Sequence, residues 1–164
     1  KLNTKKVGLC VKKSDYPFKL FIECKLVNKY PVLFGPDPVN DKMQQGDGCT
    51  PEGVYKIKAK YPHRSWTYFL WIDYPNDAAW KRFNENKKSG LIAKDAGIGG
   101  DVGIHGVPFV TGAFGRNPSA TTPHADDMID NKINWTLGCI PMKTEDIKEI
   151  YQYVHVGTGN EIVH

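Results

Sequence analysis

This sequence has few of the residues from which metal and redox sites are built. The chain contains four cysteines: Cys10, Cys24, Cys49 and Cys139. None of them form a CxxC pair, which argues against a zinc ribbon and against a thioredoxin-type redox motif. No HExxH or His-x-His spacing occurs either, so a hydrolytic zinc site would have to be assembled from His105, His124 and Asp126 without a motif to support it. That alternative stays open on the sequence.

Long apolar runs and blocks of like charge are also missing. No apolar run approaches the ~20 residues that a membrane-spanning helix needs, so we expect no membrane span. The formal net charge is only +4, and no long Lys/Arg run interleaved with aromatics is present, so we expect no nucleic-acid partner. The glycine-rich residues 97–103 lack the GK[ST] ending and the GxGxxG register of phosphate-binding loops. The chain shows no signal peptide and opens on Lys1, so we expect that its natural start and any targeting signal have been removed.

The size and composition of the chain favour one ordinary globular domain. The 164 residues are 40% hydrophobic and 24% charged, which is enough to build a hydrophobic core, and we expect residues 1–164 to form a single domain. The first half is rich in β-branched and aromatic residues separated by Gly, Pro, Asn and Asp, which predicts an antiparallel, meander-like sheet. The predicted strands are residues 7–11, 20–27, 30–34, 54–61 and 69–74.

Two segments have the pattern of helices. Asn76 is the predicted N-cap of a helix over residues 77–88, which Gly90 ends and which buries Trp80 and Phe83. Towards the end of the chain, apolar residues recur at helical spacing from residue 147 to residue 154, with Thr144 as the predicted cap. Residues 161–164 could add a final strand.

Each cysteine has a different predicted environment. Cys10 and Cys24 lie in two strand-like runs that could form a hairpin, and both a cross-strand disulfide and two buried free thiols are compatible with this pattern. Cys49 lies in a glycine-rich turn and could be an exposed spare thiol. Cys139 alone has the setting of a nucleophile, because Gly138 places it at a turn just before a helix-like segment.

His105 is the natural companion of Cys139. A short apolar run delivers this histidine and breaks at Gly106, which permits the close approach of another chain or of substrate. A thiol with its usual pKa of roughly 8.5 is mostly protonated at neutral pH, and an adjacent imidazole can activate it. Either residue alone would be typical of a core, but the two local contexts together indicate a Cys-His acyl-transfer site. Backbone amides at the Cys139 turn could face a developing oxyanion.

Three motifs carry a family resemblance. Residues 46–55 (GDGCTPEGVY) resemble a GDG-x-TPEG-x-Y segment, residues 104–106 match Ile-His-Gly, and residues 136–140 (TLGCI) match a Ser/Thr-x-Gly-Cys-hydrophobic signature. All three are similar to motifs of the L,D-transpeptidase catalytic domain family, often called YkuD-type, of bacterial peptidoglycan enzymes. The similarity extends from about residue 35 to the end of the chain.

The resemblance implies a fold and a set of roles. The fold is mostly β (β-rich α+β), with curved antiparallel sheets of the L,D-transpeptidase type and about two flanking helices. Cys139 would be the nucleophile and His105 the general base of a two-step reaction through a thioester, with no cofactor and no metal. The backbone at Gly106 would hold the imidazole, Gly138 and Cys139 would supply oxyanion amides, and Thr136 would support the loop or contact substrate.

The resemblance also implies substrates and a location. The donor would be a peptidoglycan stem tetrapeptide, attacked at the carbonyl of its third, diamino-acid residue with loss of the terminal D-alanine. An amine acceptor would give a crosslink or attachment to an envelope protein, whereas water would give L,D-carboxypeptidase activity. The expected location is the bacterial cell envelope, periplasmic or otherwise extracytoplasmic.

The chain departs from the family pattern in three places. Pro141 stands where Arg or Asn is frequent, Leu137 stands where many members have a second histidine, and the spacing of His105 and Cys139 is unusual. Cys139 follows His105 by 34 positions, which is longer than is usual in the family, and residues 107–134 hold the extra length. We expect a loop there that covers the donor groove, and its His124 is a rival general base. A non-catalytic cell-wall-binding module and a different cysteine hydrolase are the other function classes compatible with the sequence.

Overall fold

Strands dominate the computed structural model, which describes residues 6–107 and 125–164. In these residues the strands are β1 (Val7–Lys12), β2 (Pro17–Ile22), β3 (Lys25–Pro31), β4 (Gly53–His63), β5 (Thr67–Ile72), β6 (Gly103–Gly106), β7 (Ile140–Met142) and β8 (Gly159–Val163). The helices are α1 (Asp77–Ser89), α2 (Ala125–Asp130) and α3 (Thr144–Tyr153). The predicted mostly β fold is therefore confirmed, and α2 is a third helix that lies inside the predicted insertion.

The eight strands form one sheet in the order β3-β2-β1-β8-β4-β5-β6-β7. Most neighbours are antiparallel as expected, but β1 pairs with β8 and β6 pairs with β7 in parallel. The last strand of the chain thus lies between the first strand and β4. A meander read from local sequence could not show either parallel pair, because both join segments that are far apart in the chain.

The two ends of this strand order meet. Just after β3, Val32 forms a bridge with Met142 of β7, and the Leu33 N–H donates to the Pro141 carbonyl at 3.2 Å. The predicted strand over residues 30–34 is therefore split between the end of β3 and this bridge. As a result the sheet curves back on itself, and β7 is held on both sides.

The β2–β3 hairpin corrects another predicted strand. Residues 20–27 do not form one strand, because Glu23 and Cys24 adopt φ angles of +50° and +63° and turn the chain. Cys10 lies opposite Lys19 rather than opposite Cys24, and both cysteines are free thiols. The disulfide alternative is therefore wrong for this structure.

The helix α1 begins and ends as predicted. The Asn76 side chain accepts a hydrogen bond from the Ala79 N–H at 3.0 Å, and Gly90 ends the helix with φ +80°. Phe83 is buried, but Trp80 is 44% exposed, so only one of the two predicted core residues is in the core. Trp80 packs edge-on against the Phe83 ring instead.

The start of α3 differs from the prediction. Thr144 is the first helical residue and not the cap, and Lys143 at the cap position makes no side-chain capping bond. The Thr144 N–H donates to Asp126 Oδ1 at 3.2 Å, so a carboxylate from α2 does the work of a local cap. Ile147 and Ile150 of α3 are buried in the main hydrophobic core as predicted. No helix in the described part of the chain is long and apolar enough to cross a membrane.

Candidate active site

The parallel pair of β6 and β7 brings the two predicted catalytic residues to one cleft. His105 lies on β6 opposite Pro141 of β7, and Cys139 directly precedes β7. The cleft has a volume of about 500 Å³. Nine residues line it: Trp66, Gly100, Asp101, Val102, His105, Trp135, Thr136, Leu137 and Cys139. The structure therefore places His105, Thr136 and Cys139 together, with Gly106 and Gly138 directly beside them in the chain.

The backbone at Gly106 fixes the imidazole of His105. The Gly106 carbonyl lies 2.6 Å from His105 Nδ1, and because a carbonyl can only accept, Nδ1 carries the proton and Nε2 is left as the acceptor nitrogen. The Gly106 N–H in turn donates to the Trp66 carbonyl at 3.0 Å. A Cβ on Gly106 would lie 2.5 Å from that same carbonyl oxygen. Only glycine permits this close approach of two backbones.

Aromatic rings enclose the imidazole. The ring centroid of His105 lies 4.5 Å from that of Trp66, 5.9 Å from that of Phe69 and 6.2 Å from that of Trp135. His105 is only 3% exposed. Burial lowers the pKa of His105 to about 4, against an opposing contribution from its bond to Gly106 and with a further small lowering from His63. The imidazole is therefore neutral near pH 7 and able to take a proton.

The thiol of Cys139 is also held in its neutral form. Its Sγ donates to the Asp101 carbonyl at 3.5 Å. Burial raises the pKa of Cys139, and the charge of Asp101 raises it further, whereas the Gly103 N–H and the charge of Lys42 act to lower it. The resting pair is consequently a thiol and a neutral imidazole rather than an ion pair.

Thr136 braces the turn that carries Cys139. Its hydroxyl donates to the Cys139 carbonyl at 2.6 Å and accepts from the Gly138 N–H at 3.3 Å. Gly138 has φ +138°, and a Cβ there would lie 2.9 Å from the Cys49 carbonyl oxygen. The turn is thus fixed by one hydroxyl and by a position that favours glycine. The Gly138 amide, a predicted oxyanion donor, is directed at Thr136 in this arrangement.

Cys49 lies behind this turn and corrects one expectation. It was predicted as an exposed thiol but is 4% exposed, because the glycine-rich loop folds under the Cys139 turn. Burial, together with the charges of Asp47 and Asp37, raises the pKa of Cys49 to about 11. Burial and this raised pKa both disfavour the reactive thiolate form of Cys49 near pH 7.

Sequence reasoning missed three residues of the cleft. Trp66 lies in the turn between β4 and β5 and reaches the site only through sheet pairing, so no local motif could indicate it. Trp135 directly precedes Thr136, and this position next to the Cys motif was a usable signal. Asp101 follows two glycines and adopts φ +53°, which turns the chain just before β6.

Other predicted features lie outside the described residues. Of the expected loop over residues 107–134, Ala125–Asp130 form α2, but residues 108–124, including the rival base His124, are not described, so neither the covering of the donor groove nor the role of His124 is tested. The same holds for the zinc alternative, which requires His124. Within residues 6–107 and 125–164, no three His, Cys, Asp or Glu side chains are grouped as metal ligands.

Comparison with known structures gives the same fold. L,D-transpeptidase 3 from Mycobacterium tuberculosis, in complex with a faropenem-derived adduct, is 14% identical with a TM-score of 0.59. An L,D-transpeptidase from Mycobacterium smegmatis is 13% identical with a TM-score of 0.57. A cysteine-to-serine mutant of the Enterococcus faecium L,D-transpeptidase is 15% identical with a TM-score of 0.56. These matches cover 96% to 98% of this chain but 49% to 61% of the other chains.

Sequence comparison identifies the family. No curated protein matches the chain by sequence. The family model for the L,D-transpeptidase catalytic domain matches residues 6–163, which is nearly the whole chain. The chain therefore belongs to the L,D-transpeptidase catalytic domain (YkuD) family.

Proposed function

We propose that this protein is a peptidoglycan L,D-transpeptidase that uses Cys139 as its nucleophile and His105 as its general base. The observation that supports this most strongly is the convergence of the two residues on one cleft, with His105 Nδ1 fixed on the Gly106 carbonyl at 2.6 Å. That bond leaves Nε2 as the acceptor for the thiol proton. Residues 1–164 would act as one catalytic domain.

The first half-reaction would form a thioester. His105 Nε2 takes the proton of Cys139 as Sγ attacks the carbonyl of the third residue of a stem tetrapeptide. The backbone amide of Cys139 would stabilise the oxyanion, while Thr136 holds the turn in place through the Gly138 N–H. The tetrahedral intermediate collapses, the carbon–nitrogen bond breaks, and the leaving D-alanine amine takes the proton from His105.

The second half-reaction would release the acyl group. A neutral amine attacks the thioester carbonyl and gives its proton to His105, and the thiolate leaves and is protonated again. The amine would belong to a second stem peptide or to an envelope protein. Because this substrate is the cell wall, we place the activity outside the cytoplasm, in the bacterial cell envelope.

Intact-protein mass spectrometry tests the acyl-enzyme directly. The protein is incubated with a stem tetrapeptide and, separately, with a carbapenem, as wild type, Cys139→Ala, His105→Ala and the control Cys49→Ala. We expect an adduct in the wild type and in the control, none in Cys139→Ala, and formation about 10²- to 10⁴-fold slower in His105→Ala. An adduct that persists in Cys139→Ala, or none in folded and reduced wild type, would contradict the proposal.

A further inference from the structure

A buried lysine lies beside the turn that carries Cys139. The Lys42 side chain is 3% exposed, and its Nζ lies 2.9 Å from Asp47 Oδ1. A Cβ on Gly138 would lie 3.9 Å from this Nζ. The positive charge is therefore held next to the backbone of the turn that carries Cys139.

Asp47 keeps this ammonium group in place. Its carboxylate also accepts hydrogen bonds from the backbone N–H groups of Met43, Gln44 and Cys49, at 2.7, 3.0 and 3.0 Å. Burial acts to raise the pKa of Asp47, but these bonds and Lys42 outweigh it and hold the pKa below its usual range. Since the carbonyl of Cys49 abuts Gly138, the ion pair and the turn form one packed unit.

The cation is not needed to satisfy Asp47. A carboxylate with three backbone N–H donors can stay ionised without a cation, whereas burying a lysine carries a large desolvation cost. Besides Asp47, the Lys42 Nζ approaches the backbone of the Cys139 turn. That turn carries Cys139, whose sulfur becomes negatively charged during the proposed reaction.

Within residues 6–107 and 125–164, Asp101 is the other charged residue that acts on this thiol. Asp101 lines the cleft beside it, His105 is neutral near pH 7, and the buried Cys49 thiol stays protonated. Asp101 opposes thiolate formation and Lys42 favours it. The two residues thus act in opposite directions on one sulfur atom.

We propose that Lys42 is a positioning residue for the nucleophile, whose buried ammonium group stabilises the Cys139 thiolate as it forms. The inference rests on the proposed role of Cys139. It assigns a function to the buried ion pair of Lys42 and Asp47, which lies outside both the Cys motif and the His motif.

The pH dependence of Cys139 alkylation tests this role without any substrate. The full chain is treated with iodoacetamide between pH 6 and 11, and each cysteine is followed by peptide-resolved mass spectrometry in wild type, Lys42→Met and Asp101→Asn. We expect the midpoint for Cys139 to rise by about one pH unit in Lys42→Met and to fall in Asp101→Asn. The exposed Cys24 provides an internal control whose profile stays unchanged.

A second variant covers the case in which Lys42→Met fails to fold. The double variant Lys42→Met/Asp47→Asn carries no uncompensated buried charge and should show an upward shift for Cys139 that is smaller than in Lys42→Met, because the opposing charge of Asp47 is removed as well. The inference would be overturned if the alkylation midpoint of Cys139 is unchanged in Lys42→Met, or if Lys42→Met and Asp101→Asn shift it in the same direction. Failure of the proposed function is a separate result, because it appears as a missing carbapenem adduct and not as a pH shift.

Discussion

The imidazole of His105 and the thiol of Cys139 share one cleft, but the protein surrounds them with different groups. Three aromatic rings face His105. Cys139 instead has a hydroxyl, backbone carbonyls and charges of both signs near its turn. Both environments favour the neutral form. Burial acts on both groups, but the thiol of Cys139 also responds to charges of both signs, so the two halves of the cleft should respond to different substitutions.

The largest effects should come from substitution of the glycine next to each residue, Gly138 next to Cys139 and Gly106 next to His105. Gly138→Ala forces a Cβ at φ +138° to within 2.9 Å of the Cys49 carbonyl, so we expect carbapenem acylation to fall at least about 100-fold through misplaced reacting atoms, with the fold retained. Gly106→Ala brings a Cβ to 2.5 Å from the Trp66 carbonyl on a buried strand and should lower the unfolding free energy by about 3 kcal/mol. Denaturation and acylation rates separate the two. Equal loss of stability in both variants would contradict the comparison.

The buried base should make the protein sensitive to acid. The unfolded chain protonates His105 below about pH 6.5, but the folded protein does so only near pH 4. Protons therefore bind the unfolded state first, and the unfolding free energy should decrease by about 3 kcal/mol as pH falls through this window. His105→Gln lacks this contribution, so its stability should fall less between pH 6.5 and 4. If the unfolding free energies of the two proteins fall by the same amount between pH 6.5 and 4, burial does not perturb the pKa of His105.

The nucleophile half should depend on one hydroxyl. Thr136→Val leaves the Cys139 carbonyl and the Gly138 N–H without their partner, and we expect a loss of about 2 kcal/mol in stability and slower acylation. Thr136→Ser keeps the hydroxyl and provides the matched control. Acylation that is equally slow in the serine variant, which keeps the hydroxyl, would contradict a specific role for that hydroxyl.

The smallest expected effect concerns the aromatic wall of the base. Trp66→Ala removes the ring nearest to the imidazole and readmits water, so the pKa of His105 should return towards its usual value. The acid limb of the acylation rate should move up from near pH 4 by about one unit. Trp80→Ala, an exposed tryptophan on α1, should leave the profile unchanged. If the acid limb of the acylation rate does not move in Trp66→Ala, the Trp66 ring does not set the pKa of His105.

The same contrast explains what the sequence could predict. The Cys139 turn and the His105 strand end are local patterns, and their residue types were sufficient to indicate the chemistry. Trp66 and Lys42 approach the site from hairpins and loops far away in the chain, so only tertiary structure places them there. The prediction that Thr144 caps α3 was wrong for the same reason, since the Thr144 N–H donates to Asp126 of α2. Local propensity predicts an element well when its stabilising partners are local.

The position of β8 has a consequence for how the molecule is made. Because β8 lies between β1 and β4, the strands β1 to β3 and the strands β4 to β6 have no strand between them until β8 has been synthesised. The bridge from Val32 to Met142 likewise joins early and late parts of the chain. Such long-range pairing is slow to form. The sheet that carries the cleft therefore closes only after both β7 and β8 have been made.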